Sequence, residues 1–270
     1  MNFAFSEEQV ELRKVAADFL TNKSAEADVR ALMETDEGYD PAVWSQMAEQ
    51  LGLQGLAIPE EYGGSGYSYV ELCVIFEEMG RRLLCAPFFS TVALAANALL
   101  HSGDDDAKAR YLPGIASGET IATVAFTEEN GRWDESGIEM EAAASDEGHT
   151  LSGTKSYVID GHIASLILVA ARTPEGVSLF AVDGDASGLG RTPLSTMDQT
   201  RKQAKLDFDN TPATHVGAAG SGWDTLRTML QLAVVALASE QMGGAQECLD
   251  SAVQYAKDRV QFGRRIGPFQ

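Results

Sequence analysis

The sequence is poor in basic side chains. Its 270 residues contain 20 lysines and arginines against 40 aspartates and glutamates, which gives a formal net charge of -20. A surface with this charge repels the phosphates of nucleic acids and of anionic membranes, so we expect neither as a partner. An anionic ligand would need a local cluster of basic side chains.

Cysteine is also scarce. Cys73, Cys85 and Cys248 are odd in number and widely spaced, which excludes a disulfide framework and a zinc-binding spacing. Each lies in a segment with an apolar helical pattern, so we expect buried thiols in a reducing compartment. The four histidines show no metal-ligand spacing, and we predict no metal site.

Long hydrophobic runs and nucleotide-binding loops are missing from the sequence. Residues 1–5 do not begin a signal peptide, and no run approaches the roughly 18 apolar residues of a membrane span. The glycine-rich residues 217–222 lack both the dinucleotide-binding fingerprint and a P-loop lysine. We therefore expect a soluble cytoplasmic protein, and NAD or ATP chemistry has no support.

Helical patterns dominate the first part of the chain. Ser6 and Gln9 form a capping-box pattern ahead of an apolar stripe, and Trp44 and Met47 share one face of a second amphipathic segment. Proline and glycine then interrupt the periodicity. We predict an all-helical domain over residues 1–118.

The pattern changes after this helical part. Short apolar runs such as 166–169 and 177–180 are separated by Gly, Asp, Pro and Ser, which is typical of antiparallel strands. We predict a β domain over residues 119–218, after which a helical pattern resumes over residues 219–270. Helices, strands and helices in this order favour an α+β fold over one alternating α/β sheet.

Several segments, in order along the chain, carry motifs of a known family. They read Pro-Glu-Glu-Tyr-Gly-Gly at 59–64, Phe-Glu-Glu-Met-Gly-Arg at 76–81, Ala-Phe-Thr-Glu at 125–128, Leu-Ser-Gly-Thr-Lys at 151–155, Tyr-Val-Ile-Asp-Gly at 157–161 and Tyr-Ala-Lys-Asp-Arg-Val-Gln-Phe-Gly at 255–263. Together these motifs resemble the acyl-CoA dehydrogenase family. The resemblance implies a central antiparallel β-barrel-like domain between an N-terminal all-α domain and the start of a C-terminal helical bundle.

The resemblance also implies a reaction and its partners. Family members use FAD to remove the α proton and the β hydride of an acyl-CoA thioester, which yields a trans-2-enoyl-CoA. An electron-transfer flavoprotein is the implied electron acceptor, and the implied assembly is a homo- or hetero-oligomer. The implied substrates are medium, branched or ring-bearing acyl-CoA thioesters of fatty acid or sterol side-chain degradation.

Four residues align with the family's flavin site. Phe126 and Thr127 lie in the segment that follows the flavin ring and gives it backbone and threonine hydrogen bonds. Tyr157 takes the place of an aromatic residue that covers the ring. Ile159 replaces a hydroxyl residue near flavin N5, and such a lost hydrogen bond is worth about 0.5–1.5 kcal/mol.

Two acidic residues align with the family's substrate site. Glu78 lies on the helix that helps to line the acyl pocket, and Glu128 ends the flavin segment. The alternative for Glu78 is a solvated helix face. Residues 129–134 replace the family's usual Pro-Gly-Ala-Gly-Ser-Asp, so we expect a remodelled turn there.

The closing motif aligns with a cofactor contact between subunits. Arg259 takes the place of an arginine that contacts the FAD pyrophosphate across a subunit interface, and Gln261 and Phe262 belong to the same signature. Neighbouring basic residues add positive charge where a diphosphate needs it. The alternative for Arg259 is compensation of the helix dipole.

The position of the catalytic base has two implied locations. In most family members it is a glutamate beyond the equivalent of Gln270, so the resemblance implies a C-terminally truncated chain. In others it lies on the first helix after the β domain, where this sequence has Ala233, and Val234 stands where an arginine is common. Glu240, about 10 Å farther along that helix, is the candidate base. A buried ion pair or an interface contact is the alternative for Glu240.

These departures motivate a second function. The chain could keep the fold as a non-catalytic structural subunit of a heteromeric acyl-CoA dehydrogenase that has lost flavin or base function. Near the end of the β domain, Arg201, Lys202 and Lys205 are expected to be solvated strand positions rather than ligand contacts.

Overall fold

The computed structural model describes residues 4–145 and 148–268. The last two residues that resemble the family's closing motif, 269 and 270, lie outside the described residues. The N-terminal part is helical, as predicted. Its helices are α1 (Glu7–Lys23), α2 (Glu26–Met33), α3 (Pro41–Glu49), a 3-10 turn (Glu60–Tyr62), α4 (Tyr69–Arg82), a π-helix (Phe89–Ala96) that continues into α5 (Asn97–Leu100), and α6 (Asp105–Ala116).

Local sequence explains where these helices begin and which faces they bury. The Ser6 hydroxyl accepts the Gln9 backbone N–H at 3.2 Å while the Gln9 side chain accepts the Ser6 N–H, which confirms the predicted capping box. The predicted apolar face of α3 is confirmed as well, since Trp44 and Met47 are buried. Met47 belongs to the hydrophobic core that runs on into the β unit.

The β unit is an open, mostly antiparallel sheet. Its strands are β1 (Ala122–Ala125), β2 (Ala142–Ser145), β3 (Gly148–Ile159), β4 (Leu166–Thr173), β5 (Gly176–Asp183), β6 (Leu189–Leu194) and β7 (Gln203–Val216). They follow the order β1-β4-β5-β7-β3-β2, with β6 on the side of β7. The barrel-like closure that the resemblance implied is therefore wrong, because within the described residues no ladder joins β1 to β2.

Strand β7 connects the two halves of this sheet. Its last residues pair with β5, and its earlier residues pair with β3 and β6. Strand β1 pairs with β4 in parallel. This arrangement brings the end of β1 and the end of β3 to the same edge of the sheet, where the Ser156 N–H donates to the Thr127 carbonyl at 2.9 Å.

One long helix, α7 (Gly222–Asp258), covers that edge and packs along α4. The buried apolar side chains of α7 are Leu226, Met229, Ala233 and Ala236, and the buried Gly243 lies at the crossing with α4. A short hairpin follows, with β8 (Val260–Gln261) and β9 (Arg264–Arg265). In the described part of the chain, no helix has the length and hydropathy needed to cross a membrane.

The cysteines only partly follow the sequence expectation. Cys85 is buried, and burial raises the pKa of its thiol to about 11. Cys73 is half-buried, whereas Cys248 is exposed on α7. The expectation of a buried thiol was wrong for Cys248, which lies on the exposed side of α7, whereas its neighbours Glu247 and Asp250 face α4 and pair with Arg81.

Candidate functional site

A cavity of about 220 Å³ lies between the sheet edge and α7, and we call it the central cavity. Its strand wall is formed by residues at the ends of β1 and β3, which are Val124, Phe126, Thr127, Ser156, Tyr157, Val158 and Ile159. Its helical wall is formed by side chains of the π-helix and α7, which are Phe89, Leu94, Leu230, Ala233, Val234 and Leu237. Trp133, Arg201 and Gln203 complete the lining.

The structure brings together all four residues that aligned with the flavin ring. Phe126, Thr127, Tyr157 and Ile159 lie side by side on the strand wall. Tyr157 has φ +58°, in the left-handed region, and its ring is largely exposed at the mouth of the cavity. Their proximity is consistent with a shared role in one site. Their contacts with the flavin stay a prediction.

The strand wall has the chemistry that a flavin ring requires. Phe126 packs edge-on against Trp133 with ring centroids 5.3 Å apart, so aromatic surface flanks the opening. The Thr127 hydroxyl has no protein hydrogen-bond partner among the described residues and lies in the lining. Ile159 supplies only apolar surface. These side chains fit a planar, largely apolar ring that needs hydrogen bonds along one edge.

The turn that follows Glu128 is held by a buried ion pair. Lys155 is completely buried on β3, and its Nζ donates to Glu128 Oε1 at 2.6 Å. The Glu128 carboxylate also accepts the backbone N–H groups of Glu139 and Met140 at 3.0 Å. Burial lowers the pKa of Lys155, and the Glu128 partner opposes that shift. The carboxylate thus closes the turn, and its substrate role stays a prediction.

The other aligned acid, Glu78, lies in an interhelical charge cluster. It is buried on α4, 3.9 Å from Arg13 on α1 and 4.0 Å from Arg81. Burial raises the pKa of Glu78, while the two arginines oppose the shift. Glu78 is not in the lining of the central cavity, so a contact with the acyl group is still a prediction.

Glu240 takes part in the ion pair that the sequence left as its alternative. Both of its carboxylate oxygens accept from Arg201 Nη2, at 2.6 and 2.7 Å. Ala233, which aligned with the family's second base position, lines the cavity together with its neighbour Val234. Of the described residues in the lining, none is a carboxylate. Proton abstraction by Glu240 remains a prediction.

Arg201 is the site residue whose role sequence reasoning missed. The expectation of a solvated strand position was wrong, because its guanidinium lies over the Phe89 ring, 4.6 Å from the centroid, and lines the cavity. The signal was Glu240, an acid within an apolar helix that needs a cationic partner. No local pattern identified which cation it would be.

Comparison with known proteins now decides the family. Three family models match in succession: the acyl-CoA dehydrogenase N-terminal domain over residues 6–119, the middle domain over 123–211 and the C-terminal domain over 220–270. The chain belongs to the acyl-CoA dehydrogenase family.

Individual relatives agree with this acyl-CoA dehydrogenase assignment. Acyl-CoA dehydrogenase IpdE2 of Mycolicibacterium smegmatis is 33% identical over 98% of this chain and 70% of its own length. A variant of the steroid ACAD Tcur3481-Tcur3483 superposes with a TM-score of 0.85 at 33% identity, covering 97% of this chain and 70% of the other. The ChsE4-ChsE5 complex from Mycobacterium tuberculosis gives 0.88 at 26% identity, covering 100% and 72%.

The closing motif of this family member lies far from the central cavity. Arg259, Gln261 and Phe262 are exposed at the end of α7 and on the hairpin after it. Arg259 follows Val234 by 25 residues, which corresponds to about 38 Å along the helix axis. Within one chain, these three residues and the cavity are therefore not parts of one contiguous site.

A buried carboxylate lies directly behind the strand wall. Asp160 follows Ile159, and its Oδ2 accepts the Ser90 hydroxyl at 2.6 Å. Burial raises the pKa of Asp160 from 3.8 to about 6, although Ser90 and the charge of Arg201 act against the rise. Asp160 stands where the family motif usually has asparagine.

Replacement of Asp160 by asparagine is expected to stabilise the protein above pH 6. Because the folded-state pKa is raised, ionisation costs stability as the pH climbs from 3.8 to about 6. Asp160→Asn removes that cost, and with a less favourable hydrogen bond to Ser90 the net gain is about 2 kcal/mol. Urea unfolding at pH 7.5 and at pH 4 measures it, and an equal gain at both values would contradict the explanation.

Proposed function

We propose that this chain is a FAD-dependent acyl-CoA dehydrogenase, or a subunit of one, which converts an acyl-CoA thioester into a trans-2-enoyl-CoA. The observation that supports this most directly is the strand wall of the central cavity. It collects Phe126, Thr127, Tyr157 and Ile159 from separate segments at one sheet edge, beside an apolar helical wall. We also propose a cytoplasmic location.

The side chains of the cavity have distinct tasks in this proposal. Bound FAD supplies the acceptor for the β hydride. Thr127 would hold the ring by its free hydroxyl, while Tyr157 and Trp133 would cover the opening and exclude water. The apolar helical wall would then receive the acyl group in a low-dielectric environment, which favours proton abstraction by a nearby carboxylate.

Three acidic residues of this chain are proposed to serve the substrate thioester and its proton. Glu240 is the candidate base. Its carboxylate must release Arg201 and turn to the substrate before it can accept the α proton. Glu78 and Glu128 are proposed to shape the substrate side indirectly, through their ion pairs with Arg13 and Lys155.

The distant hairpin supports an oligomer. Arg259, Gln261 and Phe262 would contact the FAD diphosphate of a neighbouring subunit, since about 38 Å separates them from the cavity of their own chain. The ChsE4-ChsE5 complex, by its name, pairs two chains, and a homo- or hetero-oligomer of this kind is proposed here. An electron-transfer flavoprotein would reoxidise the cofactor.

The relatives also support a substrate class. The Tcur3481-Tcur3483 protein is described as a steroid ACAD. We propose ring-bearing acyl-CoA thioesters from sterol or fatty acid degradation as substrates of this chain. The central cavity is apolar along its helical wall, which suits such groups.

Flavin absorbance tests the proposed function. The protein, purified with any partner subunit it retains, is expected to show the visible band of oxidised flavin and to lose it on anaerobic addition of a substrate acyl-CoA. Thr127→Val serves as the matched variant and should weaken flavin retention without unfolding the protein. A folded protein that neither carries nor takes up FAD would refute the proposal and favour the non-catalytic subunit.

A further inference from the structure

One cation lies in a wall that is otherwise uncharged. Of the described residues that line the central cavity, Arg201 alone carries a charge, and its neighbours on the helical wall are apolar side chains such as Phe89, Leu230 and Leu237. A guanidinium next to apolar surface keeps its stability only if its donors find acceptors. The hydrogen-bond acceptors that Arg201 has and lacks therefore indicate which chemical groups the cavity can bind.

Within the described residues, only one of the three nitrogen atoms of the Arg201 guanidinium has a hydrogen-bond acceptor. Nη2 donates to both oxygens of Glu240, and the guanidinium carbon lies over the Phe89 ring. Within the described residues, Nε and Nη1 have no protein acceptor. Two elements, the π-helix and α7, thus hold the guanidinium in place while donors are left for a ligand.

The position of Arg201 favours a hydrogen-bond acceptor on the acyl group over one on the flavin ring. The direct contacts of Arg201, Phe89 and Glu240, both belong to helices, whereas the four residues aligned with the flavin ring form the strand wall. A group lying between the ring and the helices would meet the free donors of Arg201.

We propose that Arg201 is a specificity-determining residue, which hydrogen-bonds a carboxylate or ketone oxygen carried on the acyl group of the substrate. The inference rests on the proposed function, because it takes the central cavity as the acyl site. Before substrate binds, the candidate base Glu240 also positions Arg201, since its carboxylate accepts from Nη2 and leaves the other donors available. A hydrocarbon acyl group would leave those donors unpaired and bind less tightly.

Binding of matched ligands tests this inference without turnover. Dissociation constants are measured by calorimetry for two acyl-CoA thioesters of equal chain length, one ending in a carboxylate and one in a methyl group. The protein is expected to bind the carboxylate-ended thioester about 10- to 100-fold more tightly, the range for a hydrogen bond to a charged group. A ring-bearing thioester pair, with and without a ketone, serves as the second comparison.

Two variants separate recognition from folding. Arg201→Met with Glu240→Gln removes both charges together, so no carboxylate is left unpaired, and Met keeps apolar contact with Phe89. This double variant is expected to lose the preference for the oxygen-bearing ligands, so that its dissociation constants for the two members of each pair differ by less than about threefold. Arg201→Lys should restore a part of the preference.

Each outcome distinguishes the inference from the proposed function. Equal affinity of the parent protein for both members of both pairs would overturn the role of Arg201 and leave the proposed function intact. A failure of every acyl-CoA to bind would overturn both. A shifted flavin spectrum in the double variant without ligand, together with an unchanged preference, would assign the donors of Arg201 to the flavin instead and refute the inference.

Discussion

Gly243→Ala is expected to destabilise the protein by about 3 kcal/mol or more, because α4 and α7 cross through glycine backbones. A Cβ added at Gly243 would lie 1.8 Å from the Glu77 carbonyl oxygen. The obstructing atom is helical backbone, which cannot rotate away, so the two helices must separate and lose buried contacts. Alanine's better helix propensity, about 1 kcal/mol, offsets only a part of this cost.

The next residue supplies the control for Gly243→Ala. A Cβ at Gly244 would lie 3.5 Å from the Gly80 carbonyl oxygen, which is ordinary van der Waals contact. Gly244→Ala should therefore be neutral or stabilise the protein by up to about 1 kcal/mol. Urea unfolding compares the two variants, and similar midpoints for both would refute the close-crossing explanation.

The same crossing positions the candidate site. A Cβ at Gly80, on the other helix, would lie 1.9 Å from the carbonyl oxygen of Glu240. The glycines therefore fix how far α7 stands from α4, and with it the place of Glu240 beside Arg201. Gly243→Ala should also weaken the ligand preference assigned to Arg201, since the displaced helix carries Glu240, the ion-pair partner of Arg201.

Local patterns were enough for the parts of this fold that depend on neighbours in sequence. The capping box at Ser6 and the buried face around Trp44 follow from spacing alone. Family motifs then anticipated that Phe126 and Ile159 would share a site, and the sheet edge does bring them together. The open edge between β1 and β2 was not predictable, because closure of a sheet depends on its twist and register over many strands.

Long-range partners explain what the sequence could not reveal. Arg201 meets Glu240 across 39 positions, and Gly243 meets Glu77 across more than 160. Glu128 and Lys155 both stand in recognised motifs, yet nothing in either motif says that they pair. Such contacts are set by how the helices and the sheet pack. The type of a residue indicates only the kind of partner it needs, such as a cation for a buried carboxylate, and not which residue supplies it.

Breaking the buried ion pair between Lys155 and Glu128 is expected to lower the stability of the protein strongly. Lys155→Met leaves the Glu128 carboxylate in a buried position with only backbone N–H donors. Removing one member of a buried ion pair typically costs about 3–5 kcal/mol, because the remaining charge is uncompensated. Unfolding in urea should show this loss, and limited proteolysis should show faster cleavage within residues 129–138.

Two comparisons make the result for Lys155 interpretable. Lys205→Met breaks an ion pair with Asp207 in which the two side chains are 38% and 46% exposed, and it should change stability by less than about 1 kcal/mol. Combining Lys155→Met with Glu128→Gln removes both charges and should recover part of the loss. If the double variant were as unstable as Lys155→Met alone, packing of the lysine stem rather than its charge would hold the turn.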